Sequence, residues 1–225
     1  MAGHAGTREG QELMRRTFLT RWVVWVGLGE SLGFLAPAAV QLLAAAFWPA
    51  AVFPLLVAAG AVEGAVLGWF QAKVLRTRLP GVSKNRWVLL TAAAAAAAWA
   101  LGLLPSATDA WQDWPVATQV VAGSAGGAAL LVSLGLAQWF ELRRHVAGAW
   151  RWIAGSAAAW AAGLGVFMAV ATPLWQPGQD WVLVAAIGVA AAVLMAGSMA
   201  VVTGVVMSRL VGDGPRRAVS SRPFP

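Results

Sequence analysis

The chain has 225 residues, 60% of them hydrophobic and only 11% charged, and its formal net charge is +7. With a mean hydropathy of +0.70, this composition excludes an ordinary water-soluble domain and describes a chain solvated by lipid. The absence of cysteine excludes disulfides and thiol-based metal or redox chemistry, and the two histidines, His4 and His145, fall in a tail and a basic loop where neither can serve an intramembrane haem or metal.

In chain order, residues 1–20 form a charged tail. Within it, residues 8–21 have the pattern of a short interfacial helix, with Leu13, Met14 and Phe18 toward lipid and Arg8, Glu12, Arg15 and Arg16 toward water. The tail does not read as a cleavable signal, because the apolar run after it is too long and lacks a small-residue cleavage site. Six apolar stretches follow, at 22–47, 51–72, 87–104, 116–140, 152–172 and 181–208. A helix needs about 20 apolar residues to cross a hydrocarbon core of roughly 30 Å. The runs are continuous rather than alternating, which argues against transmembrane strands. The third is the shortest, yet its alanines from Ala92 to Ala98 favour helix strongly. The first and last are long enough to tilt or pass the interface. The final segment, 210–225, is rich in Pro, Arg and Ser from Asp213 onward and reads as a disordered tail.

Three Arg-Trp pairs, Arg21-Trp22, Arg86-Trp87 and Arg151-Trp152, recur at a spacing of 65 residues, and each opens a pair of apolar stretches. The chain therefore divides into three helical hairpins, 21–76, 86–143 and 151–209. Hairpin one ends Gly68-x-x-Gln71-x-x-x-Leu75-Arg76 and hairpin two ends Gly135-x-x-Gln138-x-x-x-Leu142-Arg143. Hairpin three keeps only the last arginine, Arg209, with Gly204 where the glutamine would stand. A two-helix unit returns the chain to its starting side, so such repeats are parallel and related by an axis along the membrane normal. The expected fold is an all-α transmembrane six-helix bundle with a pseudo-three-fold arrangement of the hairpins. A linear bundle that merely records gene duplication is the alternative.

Lys and Arg cluster in the N-terminal tail, around 73–86 and 143–151, and from Arg209 onward, while the intervening connections carry only Asp109, Asp113 and Asp180. This positive-inside pattern predicts a multi-pass protein of the plasma (inner) membrane with both termini cytoplasmic. The positive charge then meets anionic headgroups of the lipid bilayer, not nucleic acid. Trp22, Trp69, Trp87, Trp139, Trp150 and Trp152 at one level, and Trp48, Trp111, Trp114, Trp175 and Trp181 at the other, read as aromatic belts. Trp25, Trp99 and Trp160 lie deeper and read as core.

The Gly-x-x-Gln-(aromatic)-x-x-Leu-Arg segment, followed by a short basic loop and Arg-Trp, resembles bacterial polytopic membrane proteins that carry this unit repeatedly. The resemblance covers residues 60–165 and is clearest at Gln138-Trp139-Phe140-Glu141-Leu142-Arg143. It implies a fold and a membrane location and no particular activity. Other threefold or intramembrane families fit poorly. No hairpin carries the Pro-x-acidic-x-x-basic signature of mitochondrial carriers. Gly123–Gly126 resembles a rhomboid-protease stretch, but no intramembrane histidine is present to activate Ser124, and no mid-span lysine is present for retinal.

Two carboxylates fall inside the apolar stretches. Glu30 lies nine residues beyond Arg21, about 13 Å deep at 1.5 Å per residue. Glu63 precedes Gln71 by eight residues, so the two acids share a depth near the midplane. An ionised acid there costs about 2.5–3.5 kcal/mol on insertion scales. The equivalent positions of the other hairpins, near Ala95, Leu130 and Trp160, hold no acid. Either Glu30 and Glu63 form a proton- or cation-binding site, with Ser31, Gln41 or Gln119 as polar neighbours, or each is a neutral hydrogen-bonded acid that locks helix one to helix two. Gln71 and Gln138 likewise have two readings. They ring an anion-attracting vestibule with Arg76, Arg143 and Arg209, or they hydrogen-bond the next hairpin while the arginines snorkel to phosphates. Gly60, Gly64 and Gly68, with Gly29/Gly33 and Gly123/Gly127, predict close helix packing.

These residues supply no nucleophile–base pair, metal ligands or phosphate loop, so a non-enzymatic protein is expected, and no cofactor is implied. Binding or transport of a small solute, ion or proton at the intramembrane acids leads. The alternative is a membrane scaffold or accessory subunit that associates with lipid, pigment or a partner protein, or forms an oligomer.

Overall fold

A computed structural model describes residues 3–108 and 110–212. The described residues hold helices and no strand: α1 (Gly3–Gly33), α2 (Leu35–Phe47), α3 (Val52–Leu75), α4 (Lys84–Ala107), α5 (Ala110–Asp113), α6 (Val116–Leu142), α7 (Arg151–Leu174) and α8 (Trp181–Gly212), with a short 3-10 turn at Pro49–Ala51 before α3. Six helical segments are long and apolar enough to cross a membrane, α1 and α2 together making the first. This architecture is compatible with an integral, multi-pass membrane protein. The tail from 213 onward and Asp109 lie outside the described residues.

Local chemistry sets the element ends. The first stretch is not one continuous helix. Pro37 has no N–H to offer the Gly33 carbonyl and its ring crowds the preceding turn, so regular helix stops at Gly33 and resumes at Leu35. Ser83 caps α4, its Oγ accepting the Arg86 N–H at 3.4 Å. The α6–α7 loop turns at Gly148, whose φ of 70° is the left-handed region that glycine enters without strain.

Residues 8–21 form the opening turns of α1 and not a separate helix in the interface. Leu13 and Met14 are exposed, but Phe18 is only 3% exposed and its ring sits 5.8 Å from that of Trp22. Phe18, Trp22 and Val26 are spaced four apart and so share one helix face, which the straight continuation of α1 holds against the bundle. Arg78 donates to the Met14 carbonyl, tying this extension to the α3–α4 loop. On its outer side Arg15 and Arg16 both pair with Glu12, at 3.0 and 2.9 Å.

Each spanning helix packs on its neighbours in chain order, and α8 packs on α1, so the six close into a ring. Packing along the ring is uneven. In α4 the buried side chains stop at Ala98, and in α6 they begin only at Leu134. Both limits place the dense core in the half of the bundle that bears the described termini, called here the terminal end. The glycine ridge of α3 belongs to that core. A Cβ at Gly60 would stand 2.1 Å from the Trp99 ring, and one at Gly64 would stand 2.5 Å from the Ala95 side chain and 2.7 Å from the Thr91 carbonyl. Gly33 similarly brings α1 against the Glu63 backbone, 3.0 Å from where a Cβ would sit. Gly123 and Gly127 do not mediate a close helix contact. Nothing lies within 4 Å of a Cβ at Gly127, only the Trp111 ring approaches Gly123, and no described residue of that half of α6 is buried.

Candidate functional site

Two layers occupy the middle of the ring. The layer nearer the terminal end contains Trp22, Trp87 and Trp152. All three are fully buried, contrary to their expected place in the interfacial belt. Their rings cluster, Trp22 against Trp152 at 6.1 Å and Trp87 against Trp152 at 6.4 Å. An indole so buried must find an acceptor for its N–H. Trp87 donates to Gln71 Oε1 at 3.1 Å, Trp152 to Gln138 Oε1 at 2.8 Å, and Trp22 to Thr203 Oγ1 at 3.0 Å. In each case the tryptophan that opens one hairpin is held by the helix that closes another, and Trp22 joins the first hairpin to the last. Gln138 also donates to Gln71 Oε1 at 2.7 Å and to Thr91 Oγ1 at 2.9 Å.

The two glutamines therefore hydrogen-bond the neighbouring hairpin and do not line a vestibule. Arg76, Arg143 and Arg209 are exposed while Gln71 and Gln138 are buried, so the arginines do not join them. Arg143 instead lies over the Trp139 ring, 4.6 Å from its centroid. On α8 the acceptor is Thr203, one residue before Gly204. Gly204 itself leaves the space that Trp22 fills, since a Cβ there would stand 2.9 Å from the indole.

Further from the terminal end lies a cavity of about 320 Å³. Every span contributes to its wall: Glu30 from α1, Glu63 from α3, Trp99 from α4, Leu134 from α6, Trp160 from α7 and Met195 from α8. The two intramembrane acids thus meet in one space, as their shared depth predicts. They are 5% and 6% exposed, and the remaining wall is overwhelmingly apolar. Trp99 donates its indole N–H to Glu63 Oε2 at 2.6 Å. The Glu30 side chain makes no hydrogen bond or ion pair with another described residue, and Glu30 lines the cavity. Gly102 and Leu164, further along α4 and α7 from the tryptophan layer, also line the cavity, and both are exposed.

The other expected polar neighbours are elsewhere. Ser31 donates to the Gly27 carbonyl of its own helix at 2.9 Å. Gln119 donates to the Trp114 carbonyl at 3.0 Å in the α5–α6 turn, and Gln41 is exposed on α2. Trp25 is half-buried against Phe70, with Lys73 Nζ 3.5 Å over its ring.

One residue that the sequence reading passed over is Glu141, buried at the terminal end of α6. Its carboxylate accepts the Ser83 backbone N–H at 2.8 Å and lies 3.3 Å from His145 Nε2 and 3.4 Å from Arg86 Nε. It staples the α3–α4 loop to the end of hairpin two. The equivalent position in hairpin one is Val74, so the repeat carried no hint of it. Comparison of the chain with protein families, curated proteins and solved structures finds no match.

Proposed function

We propose that the chain is a non-enzymatic membrane protein that binds or moves a small solute, ion or proton at Glu30 and Glu63. The observation that carries this reading is the unpartnered, deeply buried Glu30 side chain lining a cavity that also holds Glu63. A purely structural acid would bond the facing helix, as Glu63 does with Trp99. Glu30 instead keeps its carboxyl on the cavity wall, where a proton, a cation or a hydrogen-bond donor complements it. The pair offers charge and acceptors but no nucleophile, which favours binding over catalysis.

The arrangement around the site is pseudo-three-fold in this reading. Its support is the closed ring of helices, the Trp22/Trp87/Trp152 set and the cavity lining. There Glu30, Ala95 and Trp160 stand 65 residues apart, as do Phe34, Trp99 and Leu164. The protein sits in the plasma membrane with the terminal end cytoplasmic. Arg21, Arg76, Arg86, Arg143, Arg151 and Arg209 all lie at that end, where anionic headgroups receive them. In this reading the cavity opens to the outside.

Because the chain has no native cysteine, a single thiol tests this directly. In right-side-out vesicles, Gly102→Cys and Leu164→Cys are expected to react with a membrane-impermeant thiol reagent added outside, and not with reagent trapped inside. Protection from both sides would mean a sealed interior and would end this reading in favour of a scaffold. A second reading, an accessory subunit, draws on the uncovered half of α6 from Val116 to Gly127, where a partner helix would find small residues and open space. A protein partner that co-purifies in stoichiometric amount and is lost on Gly127→Leu substitution would favour it.

A further inference from the structure

We infer that the ligand of this cavity is a hydrophobic organic cation: a quaternary ammonium or tertiary amine that carries one aryl or alkyl group. The inference rests on the binding-site reading above and narrows it by elimination. An inorganic cation needs about six oxygen ligands in place of its water. The cavity supplies two carboxyls, one already bonded to Trp99, and no other charged side chain among its lining residues. The described residues contain no cluster of three or more His, Asp or Glu side chains able to hold a metal. A sugar or other polar neutral solute would have to exchange its water for an apolar wall, leaving hydroxyls unpaired. An anion meets two acids. Among ligands larger than a proton, what remains is one whose charge is positive, whose body is apolar and whose hydrogen-bond demands are few.

The wall matches that description. Phe34, Trp99, Trp160 and Phe167 line the cavity around the two acids. Aromatic faces attract a cation through their quadrupole, most strongly when water is excluded, and quaternary ammonium groups are held this way. The volume of about 320 Å³ is at the small end of ligand pockets, enough for one ring and a compact head group. The aromatic side chains are asymmetric with respect to the repeat. Trp160 stands 65 residues after Glu30 plus a further 65, and both line the cavity.

The test uses an isosteric pair, phenyltrimethylammonium and neutral tert-butylbenzene, which share shape and differ in charge. Binding to the purified full-length protein in detergent is followed by tryptophan fluorescence and by competition with a radiolabelled cation. The wild-type protein is expected to prefer the cation by about tenfold or more, a preference that the Glu30 carboxyl supplies. The isosteric Glu30→Gln variant should bring that preference close to parity, with tert-butylbenzene binding unchanged as the sign of an intact fold. Equal wild-type affinity for the two compounds overturns the cation inference while leaving a binding cavity. Failure of both to bind, with Gly102→Cys still labelled from outside, overturns it as well. A sealed cavity in the labelling experiment removes the underlying reading instead.

Discussion

Gly64→Ala is expected to destabilise the protein by about 2 kcal/mol, whereas Gly126→Ala, the same chemical change, stabilises it by about 0.5–1 kcal/mol. The two sites isolate packing from helix propensity. At Gly126 nothing lies within 4 Å of the added methyl, so only the lower entropy of the unfolded alanine counts. At Gly64 the methyl meets the Thr91 carbonyl at 2.7 Å and the Ala92 Cα at 2.9 Å. These are backbone atoms of α4 that no rotamer change can move, so α3 and α4 must separate. That separation carries Trp99 away from Glu63, which sits beside Gly64 in the chain. Unfolding titrations in mixed micelles give both numbers, and equal stabilities for the two variants would refute the close-packed ridge.

Gln138→Leu should cost about 2–4 kcal/mol, because it strands a buried indole N–H at about 1–3 kcal/mol and removes two further hydrogen bonds. Gln138 is 1% exposed and has partners on α3, α4 and α7. Thr203→Val strands only the Trp22 N–H and should cost less, about 1–2 kcal/mol. A double-mutant cycle separates this from simple loss of volume: Trp152→Phe should cost less in the Gln138→Leu background than in the wild type, since its donor no longer has an acceptor to lose. Additive costs would show that the Trp152–Gln138 bond is not a stabilising element.

The six long apolar helices were legible because lipid imposes a coarse rule, that long apolar runs bounded by charge must be helices. The shared depth of Glu30 and Glu63 followed from counting along two antiparallel helices. The tryptophan layer was hidden by an equally sound rule, since an indole at a helix end usually seeks the headgroups. Only the partner decides. The signal was present in the 65-residue spacing of the tryptophans taken together with the glutamines that precede Trp87 and Trp152. Thr203 escaped because it lies one position from the strict repeat. Gly123 and Gly127 misled for the opposite reason: glycine spacing permits an approach but does not provide a neighbour. The cavity itself depends on where the helices diverge, which no local pattern encodes.

The Trp22–Thr203 bond joins residues 181 positions apart, and this bears on how the protein is made. Trp87 and Trp152 find their acceptors 16 and 14 residues upstream, in chain that has already left the ribosome. Trp22 enters the bilayer well before its partner and waits for α8 to emerge, its indole exposed to lipid, water or a membrane chaperone in the meantime. Chains cut short before residue 203 lack the clasp that joins α8 to α1, so ribosome stalling before α8 is complete leaves an open product for quality-control proteases to recognise.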